Sequence, residues 1–544
     1  MVDDARSNLD RWLERYGTEP IRLGELLCDA HAVAGRTAIV HQTPTGTSRV
    51  GYAELRERSM RLAGALRDAG VVGGQPVAVM LPKSPELVVA LVAIWRLGAV
   101  HVPLFTAFGP DAVGYRVSHS CATAVITDAA NREKFAAVDG DGITVFCLAE
   151  RDGGLRRGDH DLADASEHGD PIAGVERRCD DLMILLYTSG TTGQPKGVEV
   201  PVRALASIHS YMHYGLDVRP DDVFWNMADP GWGYGLWFAI IGPLLLGQAT
   251  LLRSARFDAT EVFHAILDHG VTNLTGAPTA YRSLRAEGAP PGFAERNRLR
   301  CVSSAGEPLN AELVQWSERA LGTPIHDHYG QSELGMPIGF AHHPSVHRDP
   351  VPGAMGYPAP GYRIVVLDEH GREAAPGQPG QLALDHEASP LYWFRGYHRD
   401  PDRTHERFAH GPRYYLTADG ARLDERGLLR FHSRTDDVIS SSGYRIGPFE
   451  VESALMAHPR VAEVAVVGTP DELRGEVITA FVVTTTAVEA PDLARELQGF
   501  VKARLAAHLY PRRIVFRETL PRTPSGKIQR AALREQWQTE AMSP

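Results

Sequence analysis

A chain of 544 residues is longer than one hydrophobic core supports, so two or more domains are expected. Its 43% hydrophobic and 23% charged content is that of a soluble globular protein. A formal net charge of −11 argues against a general nucleic-acid or membrane-surface binder, and any anionic substrate would need locally gathered Lys and Arg. Residues 22–34 and 52–68 carry apolar side chains at helical spacing, and 76–80 reads as a buried strand. Residues 86–97 are again helical, and a strand begins at 99–103. Strands continue to alternate with helices at 124–127, 144–147, 182–187, 250–252 and 299–303, and 313–321 reads as a helix. That alternation implies parallel sheets with helices on both faces. Residues 152–174, charged and Gly-rich, read as a surface connection. Strands at 363–367 and 380–384, set between Pro/Gly turns, suggest a small β-rich subdomain. After Asp436 the pattern resets to an α+β unit, with helices at 449–458 and 491–507 and strands at 461–467 and 478–483. The expected division is residues 1–435 and 436–544.

Several function classes are disfavoured. Cys28, Cys121, Cys147, Cys179 and Cys301 are scattered without CxxC pairs, which argues against a disulfide framework or zinc ribbon. His326, His328, His342, His343 and His347 lack zinc-ligand spacing. Gly231-Trp232-Gly233-Tyr234-Gly235 is not a dinucleotide fingerprint. The acidic start Met1-Val2-Asp3-Asp4 argues against a signal or transit peptide. The most apolar run, 235–247, is too short to span a membrane. The expected compartment is the cytoplasm.

The densest chemistry lies at 187–197, YTSGTTGQPKG, where Thr188, Ser189, Thr191 and Thr192 supply hydroxyls and Lys196 a cation. Gly190, Gly193 and Gly197 are read as positions of positive φ that expose backbone N–H groups. Such a concavity suits a polyphosphate. Pro195 stands where a Walker A loop needs its second glycine. The plainer alternative is a solvated Ser/Thr/Gly loop after a buried strand. The stretch resembles the signature of the adenylate-forming superfamily, the acyl- and aryl-CoA synthetases.

Four later motifs occur in that family's order. Gly306-Glu307-Pro308, after the strand ending near Ala305, is either an ordinary strand–helix loop or a ligand turn at a strand's carboxyl end. The resemblance implies packing against adenine. Asp327-His328-Tyr329-Gly330-Gln331-Ser332-Glu333 combines an aromatic plane, a hydroxyl and a carboxylate. Tyr329 can lie against a base, and Ser332 can cap a helix or meet a phosphate. The family's Y-G-x-[ST]-E signature makes Glu333 the implied Mg²⁺ ligand. Asp419, in Thr417-Ala418-Asp419-Gly420, reads as an acceptor in a tight turn. The family has glycine where Ala418 stands, and the resemblance makes Asp419 a ribose ligand. It also places Arg434 at the ribose, Asp436 at a hinge, Gly443 at the coenzyme A channel and Arg445 at a phosphate. Lys527, in Ser525-Gly526-Lys527, falls on the family's lysine that polarises carboxylate and α-phosphate during adenylation.

The resemblance spans roughly 24–537, and its closest flavour is the medium-chain acyl-CoA synthetases. It implies an α/β fold with a large N-terminal domain of two doubly wound α/β subdomains and a small β-rich subdomain. A small mobile α+β C-terminal domain would follow. The implied reaction joins a carboxylic acid to coenzyme A through acyl-AMP, consuming Mg-ATP, with no nucleic acid or membrane span involved. A carrier-protein phosphopantetheine is the alternative acceptor, and acetate or propionate the alternative acid. Asp229-Pro230-Gly231-Trp232 disfavours an amino-acid substrate. A lysine acetyltransferase acting on Lys527 is an implied regulator. The acyl wall is expected at Trp232, Gly233, Tyr234, Ala305 and Gly330. Acetate-specific relatives carry tryptophan at the place of Gly330, so its absence is expected to leave room for several methylenes, each worth about 0.8 kcal/mol when buried.

Overall fold

In the computed structural model, which describes residues 5–18, 20–138, 142–150, 153–188, 194–434, 437, 439–441, 444–471, 475–485, 490–505, 509–523 and 527–542, the expected alternation is present. Ala124–Asp128, Pro76–Met80, Val100–Pro103 and Leu182–Thr188 lie side by side and parallel. Thr144–Leu148 and His160–Asp161 extend one edge, and Lys196–Pro201 folds back antiparallel on the other to complete a seven-stranded sheet. Parallel strands are covered on both faces and therefore read as continuous apolar runs. Pro76–Met80 and Val100–Pro103 are buried accordingly.

The helix Pro85–Arg96 is buried at every position but Glu86. Ser84 caps it by accepting from the Leu87 N–H, and Pro85 occupies the first turn, where no N–H is needed. Its last residue, Arg96, is fully buried and donates to both carboxylate oxygens of Asp29, at 2.9 and 2.7 Å, and to the Ala173 carbonyl at 2.7 Å. Residues 22–34 are helical only over Leu23–Leu27, followed by a 3₁₀ turn at Asp29–His31 that presents Asp29 to Arg96. The expected surface connection at 152–174 contains the strand His160–Asp161 and the helix Leu162–His168, with Asp161 as its N-cap.

A second, six-stranded sheet runs Phe224–Asn226, Asn273–Gly276, Cys301–Ala305, Ile325–Gln331, Gly335–Gly339, Tyr357–Pro358. Its first four strands are parallel, and Gly335–Gly339 returns antiparallel to Ile325–Gln331. The β-rich subdomain is a four-stranded antiparallel meander of Ile364–Leu367, Pro379–Asp385, Tyr414–Leu423 and Leu429–Arg434. Beyond it, Val461–Asp471 and Gly475–Thr484 form a long hairpin, flanked by Arg513–Phe516 and backed by the helices Pro448–Met456 and Ala490–Arg504. This unit has its own apolar core around Val451, Val466, Ile478 and Leu497. Phe431 of the meander meets Phe449 of the C-terminal unit edge-on, ring centroids 5.6 Å apart.

Removing one partner of a buried ion pair strands the other charge. Asp29→Ala should therefore lower stability by about 3–5 kcal/mol in denaturant unfolding. A loss below about 1 kcal/mol would mean that water reaches the Arg96 guanidinium and replaces the carboxylate.

Candidate active site

Thr188 and Lys196 face each other across the hairpin formed by Leu182–Thr188 and Lys196–Pro201. Ser189, Gly190, Thr191, Thr192 and Gly193 lie outside the described residues. Gly197 does not have the positive φ expected of it, because it sits within the strand. Its reason is close approach: a Cβ there would lie 3.0 Å from Leu185 Cδ1 and 3.2 Å from His398 Cβ. The arm of the hairpin is tied down by groups that sequence reading missed. Tyr115 Oη donates to the Pro195 carbonyl at 3.1 Å, Arg403 Nη1 to the Gln194 carbonyl at 3.1 Å, and the His398 N–H to the Gly197 carbonyl at 2.7 Å.

Glu333, in the turn between Ile325–Gln331 and Gly335–Gly339, is buried and accepts from Tyr397 Oη at 2.6 Å. Arg407 Nε donates to the same phenol oxygen at 2.9 Å. The Lys196 ammonium lies 4.8 Å from the centroid of the Tyr397 ring. Burial lowers the pKa of Lys196, the nearby Arg407 adds to the effect, and Glu333 opposes it. Burial raises the phenol pKa of Tyr397 and Glu333 adds to that, so it stays protonated and donates. Among the described residues no group of three or more His, Cys, Asp or Glu forms a metal cage. One buried carboxylate suits Mg²⁺, which takes few protein ligands and completes its shell from phosphates and water.

Asp419 is not in a tight turn, as the sequence had suggested, but inside the ten-residue strand Tyr414–Leu423. Pairing shifts register beside it, and Ala418 has φ +64°, the left-handed region. That explains why the family's residue there is glycine. Asp419 Oδ2 accepts from Tyr329 Oη at 2.5 Å and Gln331 Nε2 at 2.9 Å; Gln331 Nε2 also reaches the Thr417 carbonyl at 2.8 Å. Tyr329, Gln331 and Asp419 therefore form one cluster, joining the six-stranded sheet to the meander. Gly306 turns with φ +100°, and both it and Pro308 are exposed. The Glu307 carboxylate is held by Thr279 Oγ1 at 2.8 Å and Arg282 Nη2 at 2.5 Å. Asp327 is held well above the usual carboxylate range by burial, and its Oδ1 meets no donor among the described residues.

The open space expected at Gly330 is absent. A Cβ at Gly330 would collide with the Gly335 carbonyl and the Met336 sulfur, so the missing side chain leaves no open space there. Gly233 is less tightly enclosed, its Cβ position 2.9 Å from the movable Leu186 Cδ2 and 3.5 Å from Ser332 Oγ. Trp232 packs against Phe105 at a tilt and Phe108 edge-on, and Ala305 is buried. A cavity of about 490 Å³ lies instead beside Tyr211, His328, Met336, Ile338 and Tyr357, and none of the five expected wall residues lines it. Tyr234 reaches it only through a relay: its hydroxyl meets Tyr211 Oη at 3.0 Å, and Tyr211 Oη meets His328 Nδ1 at 2.7 Å. Burial pushes His328 down to about 3, so the ring is neutral, its Nε2 donating to the Phe340 carbonyl and its Nδ1 accepting from Tyr211.

Lys527 is exposed in the C-terminal unit, with its backbone tied to Thr523 by bonds of 2.7 and 3.1 Å. Asp436 and Gly443 lie outside the described residues, as do the side chains of Arg434 and Arg445. The missed residues carried a signal only in part. Val198 and Val200 alternate as a strand does, whereas Tyr397 ends an aromatic run, 392–397, that reads as core.

A lysine and a buried carboxylate sharing one phenol, next to a preformed Asp–Tyr–Gln cluster, make a site for phosphate and hydroxyl groups. Residues 29–398 match the family model of the AMP-binding enzymes, and residues 450–527 that of their C-terminal domain. The chain belongs to this adenylate-forming family. It is 35% identical over 518 residues to an acetyl-coenzyme A synthetase of Bacillus subtilis, covering 93% of this chain and 89% of that one. It is 34% identical to the mitochondrial acyl-coenzyme A synthetase ACSM3 of Mus musculus, covering 90% and 85%. A crystal structure of a Brucella canis acyl-CoA synthetase superposes with a TM-score of 0.76 at 43% identity, over 99% of this chain and 98% of that one. The protein is an AMP-forming acid–thiol ligase of the acyl-CoA synthetase type. No helix among the described residues is long and apolar enough to cross a membrane.

A non-glycine residue held in the left-handed region is strained by about 1–2 kcal/mol, partly offset by the lower unfolded-chain entropy of alanine. Ala418→Gly should accordingly raise stability by about 0.5–1 kcal/mol, seen as a higher denaturant midpoint. A lower midpoint would show that contacts of the Ala418 methyl outweigh its strain.

Proposed function

We propose that the acid activated is medium-chain, branched or aromatic and that it is held in the cavity beside His328. The observation that carries this reading is the cavity itself, about 490 Å³ on the strand that leads directly to Tyr329 and Glu333. Pockets for small organic ligands span about 300–1,000 Å³. Its inner polar groups are satisfied by one another, Tyr211 with His328 and Ser207 with Tyr362, so the inner wall faces an acyl group with little unmet hydrogen-bonding demand.

In this reading a carboxylate oxygen of the acid attacks the α-phosphorus of ATP; the bond to the bridging oxygen breaks and pyrophosphate leaves. The coenzyme A sulfur then attacks the acyl carbon, AMP leaves, and the thiol proton passes to solvent. Lys196 and the hairpin hydroxyls hold the departing phosphates, and Asp419 with Arg434 holds the ribose. Glu333 would hold Mg²⁺, which when bound neutralises phosphate charge. Lys527 steadies the α-phosphate and acid carboxylate, reaching them by rotation of residues 436–544 about Asp436, and the same rotation brings Gly443 to the coenzyme A channel. Positioning and charge stabilisation of this kind account for most of such catalysis.

AMP release dependent on coenzyme A, measured over C2–C12, branched and aromatic acids, should give the highest kcat/KM for acids of six or more carbons. The Bacillus relative favours a second reading, an acetate ligase, and a maximum at acetate would establish it. Lys527→Ala should slow acyl-AMP formation by about 10²–10³ while leaving thioester formation from supplied acyl-AMP largely intact. Because acetylation removes the charge of Lys527, homogeneously acetylated protein should behave like the alanine variant. Equal loss of both half-reactions would mean that Lys527 serves both, contrary to the rotation reading.

A further inference from the structure

Tyr397 touches both charged groups on which the proposed adenylation rests. Its ring face carries the Lys196 ammonium at 4.8 Å, and its hydroxyl donates to Glu333 Oε1 at 2.6 Å. The third contact sets the direction of that proton. Arg407 Nε donates into the phenol oxygen at 2.9 Å, so the phenol proton is the one group left to meet the carboxylate. Donation into an oxygen strengthens the bond that the same hydroxyl makes onward. Among the described residues no donor meets the other carboxylate oxygen, Glu333 Oε2.

The backbone holds this arrangement in register. Tyr397 pairs with Val198, two residues beyond Lys196 on the hairpin arm. Its N–H donates to Thr404 Oγ1 at 2.8 Å, and Thr404 in turn donates to the Asp400 carbonyl at 2.8 Å. Arg407 is fixed from the other side, donating to the Leu416 carbonyl at 3.2 Å. Tyr397 is only 4% exposed, so neither its ring nor its hydroxyl has room to turn away.

We infer that Tyr397 is a positioning residue that couples Lys196 to Glu333: it occupies Oε1, turns Oε2 toward the cation, and keeps the phosphate-binding ammonium over its ring. The inference rests on the reading of Glu333 as the Mg²⁺ ligand. Groups that orient a metal ligand through one hydrogen bond are worth about 10–100-fold in metal affinity. A cation over an aromatic face needs only the ring. The two functions of Tyr397 are therefore separable by mutation.

The test is calorimetric titration of ATP into the full chain at a series of Mg²⁺ concentrations, with no acid present, so that no turnover contributes. Glu333→Gln should abolish the Mg²⁺ enhancement of ATP binding. Tyr397→Phe, which keeps the ring, should raise the Mg²⁺ concentration for half-maximal effect about tenfold, leaving ATP affinity at saturating Mg²⁺ within about twofold. Tyr397→Leu, which loses ring and hydroxyl, should weaken ATP binding even at saturating Mg²⁺. Arg407→Gln keeps the phenol and should shift the Mg²⁺ dependence in the same direction as the Phe variant, providing the answer should that variant not fold. A wild-type Mg²⁺ dependence in Tyr397→Phe, or in Arg407→Gln, beside an altered one in Glu333→Gln overturns the inference. A wild-type Mg²⁺ dependence in Glu333→Gln itself overturns the assignment of the Mg²⁺ ligand, and the inference falls with it.

Discussion

A carboxylate taken out of water must be hydrogen-bonded or paired, and the arrangement around Glu333 follows from that requirement. Its one protein donor among the described residues is a phenol, which supplies a proton without supplying charge. Lys196 and Arg407 both contact that phenol, one over its ring and one into its oxygen. A bidentate pair with Arg407 would have neutralised the carboxylate and occupied both oxygens. The rings of Tyr397, Tyr415 and Phe394 pack together beside the buried Glu333, where lower local polarity strengthens its hydrogen bond.

The site is assembled where separate sheets end. Lys196 comes from the edge of the seven-stranded sheet, Tyr329 and Glu333 from the carboxyl side of the six-stranded one, and Asp419 from the antiparallel meander. Each sheet brings one kind of group: a cation, a carboxylate with aromatic neighbours, an acceptor. The Tyr329–Gln331–Asp419 cluster adds a polar join to the apolar core that the two sheets share, through one amide that reaches a carboxylate, a phenol and a carbonyl at once. The strained backbone at Ala418 is the local cost of aiming Asp419 inward from a strand whose neighbours alternate.

Much of this was legible from residue pattern, and the reasons differ by element. Buried parallel strands such as Pro76–Met80 announce themselves, because both faces must be apolar. The helix Tyr52–Asp68 shows the spacing of a one-sided core. The motif residues Glu333, Asp419 and Lys196 were visible because polar groups concentrate there against expectation. Asp419 nevertheless reads as a turn residue, since Ala-Asp-Gly is turn chemistry and a bulged strand uses the same residues. Tyr397 was invisible, because an aromatic beside Trp393 and Phe394 is indistinguishable in sequence from ordinary core. Space is the quantity sequence carries least well. Gly330 looked like an opening, yet the volume its side chain would take is filled by its own hairpin, and the actual cavity lies behind His328.

The edge-on pair of Phe431 and Phe449 stands on either side of the short link between the meander and the C-terminal unit. The rotation proposed above would have to part these two rings, although rings so close to its pivot separate little for each degree turned. An aromatic pair of this kind is worth about 0.5–1.5 kcal/mol beyond the area it covers, only one to three times the thermal energy. In that rotation such a contact would act as a detent rather than a latch, favouring one angle at an energy close to that of thermal agitation.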